Sequence, residues 1–307
     1  MRIVFLGTSA FACPALKALA IKHDIALVIT QPDRPAGRKR ELRPSAIKLT
    51  TVDLGLRIAQ PERINSEEGI NLLREAAPEA IVVASYGQFL STKVFSLPPY
   101  GTINIHASLL PRYRGAAPVN WAIIRGETQT GVTTFFIEKG MDSGEILVQH
   151  RCTIGPDETA GELHGRLASL GAEAILETLR SIEDGTARPR PQREEQATLA
   201  PKLSRADGEI DWTLSARDIH NLVRGLNPWP GAFTHLENER VKIHRTGLTA
   251  IGRGAITPGE IALQETGRLL IGTGDELIEV LEIQRECRPR ISGKAFLNGL
   301  RGKAHFS

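Results

Sequence analysis

An asparagine and a histidine stand two residues apart in Thr102-Ile103-Asn104-Ile105-His106, where apolar and polar residues alternate as in a strand. Side chains at i and i+2 of a strand share a face, so Asn104 and His106 point together and Ile103 and Ile105 point oppositely. A carboxamide can donate a hydrogen bond to a developing negative charge, and an imidazole can hold or pass a proton near neutral pH. Burying both at one strand's end is costly without a use, although a polar strand end facing water needs no chemistry. Pro111, Arg112, Arg114 and Gly115 follow as a stiff, cationic turn of the kind that lines sites. A second turn, Gly140-Met141-Asp142-Ser143-Gly144, supplies a carboxylate, and aspartate is also an ordinary turn residue. Spacing alone leaves open whether Asp142 lies beside His106. Ser108 with these two groups would suit a hydrolase, but no G-x-S-x-G elbow surrounds it, and that chemistry is rejected.

The elements that must position these groups read as a layered α/β arrangement. Ile3-Leu6, Ile25-Ile29 and Ala80-Ala84 are short apolar runs, and helical spacing over Pro14-Ala20 and Ser66-Ala77 separates them. Such alternation predicts crossover units and a mainly parallel, Rossmann-like sheet covered on both faces. Gly131-Ile137 and Glu145-Ile154 are further strand candidates, and Thr159-Arg180 reads as a long helix. An open sheet of this type places its sites beyond the carboxyl ends of its strands. Pro189, Pro191 and Pro201 mark an extended linker over 189–206. Beyond it, Glu209-Trp212, Val241-His244, Arg268-Ile271 and Leu277-Ile283 are closely spaced strand candidates, with one helix at Ser215-Arg224. That pattern predicts a smaller C-terminal β-barrel, OB-like, over 207–307, after a first domain over 1–188.

With 307 residues and 41% hydrophobic content, two domains can each bury a core. Lys and Arg number 38 against 35 Asp and Glu, so overall charge alone does not argue for a nucleic-acid partner. Cys13, Cys152 and Cys287 have neither metal-ligand spacing nor a disulfide pattern, and are read as buried or incidental in a reducing, cytoplasmic setting. No metal is expected. The apolar run after Arg2 is broken at once by Gly7-Thr8-Ser9, too soon for a secretory signal. No stretch approaches the roughly 20 apolar residues of a membrane span, so no membrane association is expected.

Asn104-Ile105-His106-Ala107-Ser108-Leu109-Leu110-Pro111-Arg112-Tyr113-Arg114-Gly115, followed by Gly140-Met141-Asp142-Ser143-Gly144-Glu145, resembles the active-site signature of the folate-dependent formyltransferases. That family acts on glycinamide ribonucleotide, sugar amines or methionyl-tRNA. The resemblance implies a catalytic trio of Asn104, His106 and Asp142. It implies a 10-formyltetrahydrofolate site formed by Ser108, Leu109, Leu110 and Pro111, with Tyr86 and Gly87 lying along the pterin. The reaction would be acyl transfer to an amine. Asn104 would donate to the oxyanion, as would a protonated His106, and Asp142 would favour that protonated form or take the amine's proton.

The acceptor is a separate question. Arg34, Arg38, Lys39, Arg40 and Arg43 crowd the loop Gln31-Arg43, and such a run is ordinarily a solvated surface. Here it would sit at the sheet's carboxyl edge, where it could meet phosphates or stacked bases. Pro32-Asp33-Arg34-Pro35-Ala36-Gly37-Arg38 resembles an insertion of the tRNA-formylating branch of the family, which implies tRNA binding by Arg38, Lys39 and Arg40. The implied activity is formylation of the α-amino group of initiator methionyl-tRNA, by a monomer. Ile210-Ala232 resembles the start of the family's second domain, with Trp212 and Trp229 expected as core anchors. A formyltransferase for nucleotide-linked amino sugars, a catalytically silent nucleic-acid binder and a formylfolate hydrolase are the alternatives.

Overall fold

Consecutive apolar residues can all be buried only in a strand covered on both faces. Ile3 to Leu6 and Ala80 to Ala84 meet that condition, with almost every side chain inaccessible. In the computed structural model, which describes residues 1–36, 41–237, 239–262, 267–300 and 305–307, these runs form the centre of a seven-stranded sheet. Its strands are β1 (Arg2–Gly7), β2 (Asp24–Ile29), β3 (Ile58–Ala59), β4 (Ala80–Ala84), β5 (Thr102–His106), β6 (Gln129–Phe136) and β7 (Ile146–Thr153). The order is β7-β6-β5-β4-β1-β2-β3. From β3 to β5 all neighbours are parallel, and β6 pairs antiparallel with β5. The chain leaves β1 towards β2 and β3 on one side, then returns to place β4 and β5 on the other. The carboxyl ends of β1 and β4 therefore frame a topological switch point, where open sheets of this type bind ligands.

Helices α1 (Cys13–Lys22), α2 (Ala46–Asp53), α3 (Glu67–Ala76) and α4 (Ala160–Glu183) form where the apolar spacing is helical. Ser45 and Ser66 start α2 and α3 by accepting from the amides of Lys48 and Gly69. At the start of α4, Thr159 and Glu162 form a reciprocal capping box. Its apolar stripe, Leu163, Leu167, Ile175 and Leu179, is fully buried.

Two compact units are distinguished, one of residues 1–115, 130–152 and 164–199, the other of 116–129, 153–163 and 200–307. Within the second, α5 (Ala216–Gly225) is capped by Ser215 and buries Ile219 and Val223 against an antiparallel sheet. That sheet comprises β8 (Ala232–Leu236), β9 (Glu239–Gly252), β10 (Ile261–Ala262), β11 (Leu270–Gly272), β12 (Glu276–Arg285) and β13 (Ile291–Ser292). Its order is β8-β9-β12-β11-β10, with β13 beside β12. Leu236 pairs with Phe306 and Glu260 with His305, so one short segment bridges both edges of the curled sheet. Phe306 is wholly buried and stacks on Trp212 and Phe296, ring centroids 6.0 and 6.2 Å away.

Two expectations in this unit fail. Glu209-Trp212 is a single bridge to Phe233 and not a strand, because the Asp211 carboxylate accepts from the amide and hydroxyl of Thr213 and turns the chain into α5. Trp212 is a core anchor, whereas Trp229 is 54% exposed. The turn carrying Trp229 is held instead by Gly231 N donating to Leu226 O and by the Asn227 amide donating to His244 O, which leaves the indole outside. Strand β8 carries no clear alternation and has no counterpart among the strand candidates. Among the described residues no helix is long and apolar enough to cross a membrane.

Removing the Phe306 ring would leave a cavity between two aromatic partners. Phe306→Ala is expected to destabilise this unit by about 3–5 kcal/mol, read as a lowered urea midpoint in far-UV circular dichroism.

Candidate active site

The register of β5 carries out what its alternation implies. Ile103 and Ile105 are buried, while Asn104 and His106 face the other side, opposite Phe135 and Thr133 of β6. Asn104 is half-buried, and no hydrogen bond from another described residue engages its side chain. His106 is buried, with the Phe135 ring edge-on at 6.4 Å.

Both nitrogens of His106 have assigned neighbours. Nε2 lies 2.8 Å from the carbonyl oxygen of Tyr113. A carbonyl only accepts, so Nε2 carries a proton and donates it. Nδ1 faces Oδ2 of Asp142 at 3.6 Å, within ion-pair range and beyond a hydrogen bond. Nδ1 therefore faces the carboxylate, while Nε2 is held by the carbonyl. Tyr113 presents its carbonyl from a left-handed backbone (φ 62°), and its own amide donates to Thr198 Oγ1 at 2.9 Å.

The turn after β5 is tied from within and from the sheet. Ser108 Oγ donates to Arg112 O at 2.6 Å, and Thr133 Oγ1 donates to Ser108 O at 2.6 Å. The same Thr133 oxygen accepts from Leu110 N at 3.1 Å and from the Gln149 amide at 3.0 Å. The Ser108 hydroxyl is thus turned away from His106, which removes any Ser-His-Asp arrangement. Leu110 packs against Phe135 and Ile146, whereas Leu109 and Pro111 are half-buried.

Asp142 also has a left-handed backbone (φ 49°), between Gly140 (φ 113°) and Gly144. Gly144 passes so close to Phe136 O that a Cβ there would overlap it. Oδ2 of Asp142 accepts from Gly115 N at 2.8 Å, a charge-assisted bond of about 1.5–3 kcal/mol.

Arg114 does not face a ligand as a free cation. Its guanidinium is buried, with both Nη atoms on the Glu194 carboxylate at 2.7 and 2.9 Å and with Nε on Gln192 Oε1 at 3.0 Å. Hydrogen bonds from Arg114 hold the Glu194 carboxyl below the usual glutamate range. Nothing in the sequence pointed to Gln192 or Glu194, which stand about 80 residues from Arg114 within a Pro-rich stretch.

At the end of β4, one strand over, Thr8 Oγ1 and the Gln31 amide both donate to Tyr86 O, at 2.9 and 3.3 Å. The Tyr86 side chain lies in the core with Leu90 and Val94, its hydroxyl without a partner among the described residues, and burial pushes its phenol up to about 12. The Tyr86 ring is thus directed into the core, and Gly87 follows at φ 89°. Asn104, His106, Asp142 and the Ser108–Pro111 turn gather around the end of β5. Arg38, Lys39 and Arg40 lie outside the described residues; the flanking Arg34–Ala36 and Glu41–Arg43 pair as an antiparallel ribbon. Among the described residues no group of three or more His, Cys, Asp or Glu side chains could hold a metal ion.

A mainly parallel sheet thus carries an Asn-x-His strand end with a carboxylate turned onto the histidine. Residues 1–179 match the formyl transferase family and residues 202–301 match the formyl transferase C-terminal domain, and the chain belongs to this family. It is 46% identical over 302 residues to the methionyl-tRNA formyltransferase of Solibacter usitatus, covering 98% of this chain and 96% of that protein. The enzyme of the same name from Acetivibrio thermocellus is 43% identical, with 97% and 96% covered. Among solved structures, the fold is similar to WlaRD, a sugar 3N-formyl transferase crystallised with dTDP and 5-N-formyl-THF. The TM-score is 0.68 at 19% identity, over 94% of this chain and 99% of that one. HypX from Aquifex aeolicus gives a TM-score of 0.64 at 17% identity over 97% of this chain, which spans 49% of HypX.

The bond to Arg114 keeps Glu194 ionised into more acidic solution than an isolated glutamate. Because its folded value lies below its unfolded one, any stability from this pair is present above the unfolded value and fades as pH falls through the folded one. In a carboxyl NMR titration, Arg114→Lys is expected to move the Glu194 midpoint up towards the ordinary value of about 4.3.

Proposed function

We propose that this protein transfers the formyl group of 10-formyltetrahydrofolate to the α-amino group of initiator methionyl-tRNA. The observation that carries the acceptor is identity of 43–46% over nearly the whole chain with enzymes named for that substrate. The chemistry is supported by Nδ1 of His106 facing Asp142 beside the uncommitted amide of Asn104. Residues 1–188 would bind the donor and carry catalysis, and 207–307 would serve the tRNA, joined by the connecting segment 189–206. The protein would act as a cytoplasmic monomer.

In the proposed reaction the amine attacks the formyl carbon, a C–N bond forms, and an electron pair moves onto the formyl oxygen. Asn104 donates to that oxygen, and a protonated His106 donates through Nδ1, since Nε2 is held by Tyr113. Each such donor is worth about 2.7–4 kcal/mol in comparable sites. Asp142 takes the amine's proton, directly or through water, and balances the imidazolium. Collapse of the intermediate breaks the bond to N10 of the folate, which leaves with the proton that Asp142 took from the amine. Ser108 to Pro111 and the Tyr86-Gly87 main chain would hold the folate at the ends of β5 and β4.

Arg38, Lys39 and Arg40 would meet the tRNA. Arg38→Ala is expected to raise the tRNA KM while leaving tetrahydrofolate binding intact, and equal loss of both would count against that role.

Transfer of labelled formyl from 10-formyltetrahydrofolate, offered charged initiator tRNA and a nucleotide amino sugar in parallel, tests the whole assignment. Label should appear on the tRNA, and Asp142→Ala should slow it at least about 100-fold, by analogy with losing one polar catalytic group. Label on the sugar alone would overturn the acceptor.

A further inference from the structure

Asp142 lies in a partly exposed turn with a backbone conformation that non-glycine residues seldom adopt, so some other group must hold its carboxylate against His106. One constraint is local, the bond from Gly115 N to Oδ2. A second comes from 50 residues further along the chain. The Gln192 side-chain amide donates to Asp142 O and to Gly144 O, both at 2.8 Å, and so spans the turn. Its oxygen accepts from Arg114 Nε at 3.0 Å and Nη2 at 2.8 Å. Arg114 is in turn gripped by both oxygens of Glu194. A guanidinium only donates and a carbonyl only accepts, so the Gln192 amide can face just one way.

We infer that Gln192 is a positioning residue for formyl transfer, holding the Asp142 turn in register with His106 through an Arg114–Gln192 clamp. This rests on the assignment of Asp142 above. Arg114 and Gly115 are adjacent, so one dipeptide reaches Asp142 twice: at its carboxylate through Gly115 N, and at its main chain through Gln192. The clamp fixes position without adding charge, because Glu194 neutralises Arg114 and Gln192 is neutral. The stretch around Pro189 and Pro191 is thereby part of the site's frame: Arg190 also pairs with Ile146 of β7, and Thr198 takes the amides of Tyr113 and Arg114.

The test compares Gln192→Leu, Gln192→Glu, Glu194→Gln and Asp142→Ala in steady-state formyl transfer, tetrahydrofolate binding and thermal unfolding. Gln192→Leu keeps the volume and removes the donors. Gln192→Glu keeps the partner of Arg114 but sets carboxylate oxygens against two carbonyls. Both should lower kcat about 10- to 100-fold, the scale of an ångström's misplacement, with KM and tetrahydrofolate affinity within about two-fold of wild type. Wild-type kcat in either variant, or a loss shared equally by tetrahydrofolate affinity, would overturn the inference. Should both variants unfold, Glu194→Gln decides, since that side chain is 70% exposed and its change leaves the core intact. A kcat lowered about three-fold supports the clamp, and an unchanged one sinks it. Full activity in Asp142→Ala would instead remove the catalytic assignment itself. Loss there beside normal Gln192 variants would remove only the clamp.

Discussion

The hydrogen bond from His106 Nε2 to Tyr113 O decides how everything else around the site must be arranged. It fixes the ring's tautomer and plane, leaves Nδ1 facing Asp142, and requires the chain to return seven residues later with a carbonyl aimed inward. That return sets Tyr113 in a left-handed conformation and needs Thr198 to hold its amide. Once Nδ1 is the free position, a carboxylate has one useful place to stand. The Asp142 turn occupies it, and Gly144 lets the turn pass close against Phe136 of β6. Strand β5 contributes through its period of two, which delivers Asn104 to the same side as His106.

Much of this was legible in the sequence because it depends on short-range order. The apolar runs of β1 and β4 could only be buried strands, and the alternation over Thr102–His106 dictated the facing of Asn104 and His106. The switch point followed from crossover units. What was not legible depends on groups distant in the chain. Spacing could not bring Asp142 to His106, because nothing in a Gly-bracketed turn encodes its partner. Arg112 and Arg114 looked alike as cations in one turn, yet Arg114 is buried on Glu194, a partner about 80 residues away. The burial of the Tyr86 ring in the core with Leu90 and Val94 was likewise not encoded in its own segment. Trp212 and Trp229 also part ways through their surroundings: one meets Phe306, whereas the other sits in a turn whose hydrogen bonds are made by its neighbours.

The two units also differ in how their cores are closed. In the first, a sheet with covered faces leaves its strand ends open, which is where polar groups can gather without breaking packing. In the second, a curled antiparallel sheet places α5 and three stacked aromatic side chains inside its curve. Its edges are bridged by a segment two residues long.

The hydroxyl of Thr133 has one hydrogen and two lone pairs, and all are engaged: by Ser108 O, Leu110 N and the Gln149 amide. No capacity remains for water to enter as an intermediate partner, so the turn after β5 cannot loosen one bond at a time. Opening it means severing the bonds of Ser108 O and Leu110 N to Thr133 and of Leu110 O to the Gln149 amide, and lifting Leu110 from Phe135 and Ile146. The Leu110 amide, although it belongs to a connection between elements, should therefore exchange its hydrogen on the timescale of the sheet interior. A wall of the site built this way behaves as an extension of the sheet and not as a lid. The motions that admit and release substrates must then belong to other segments.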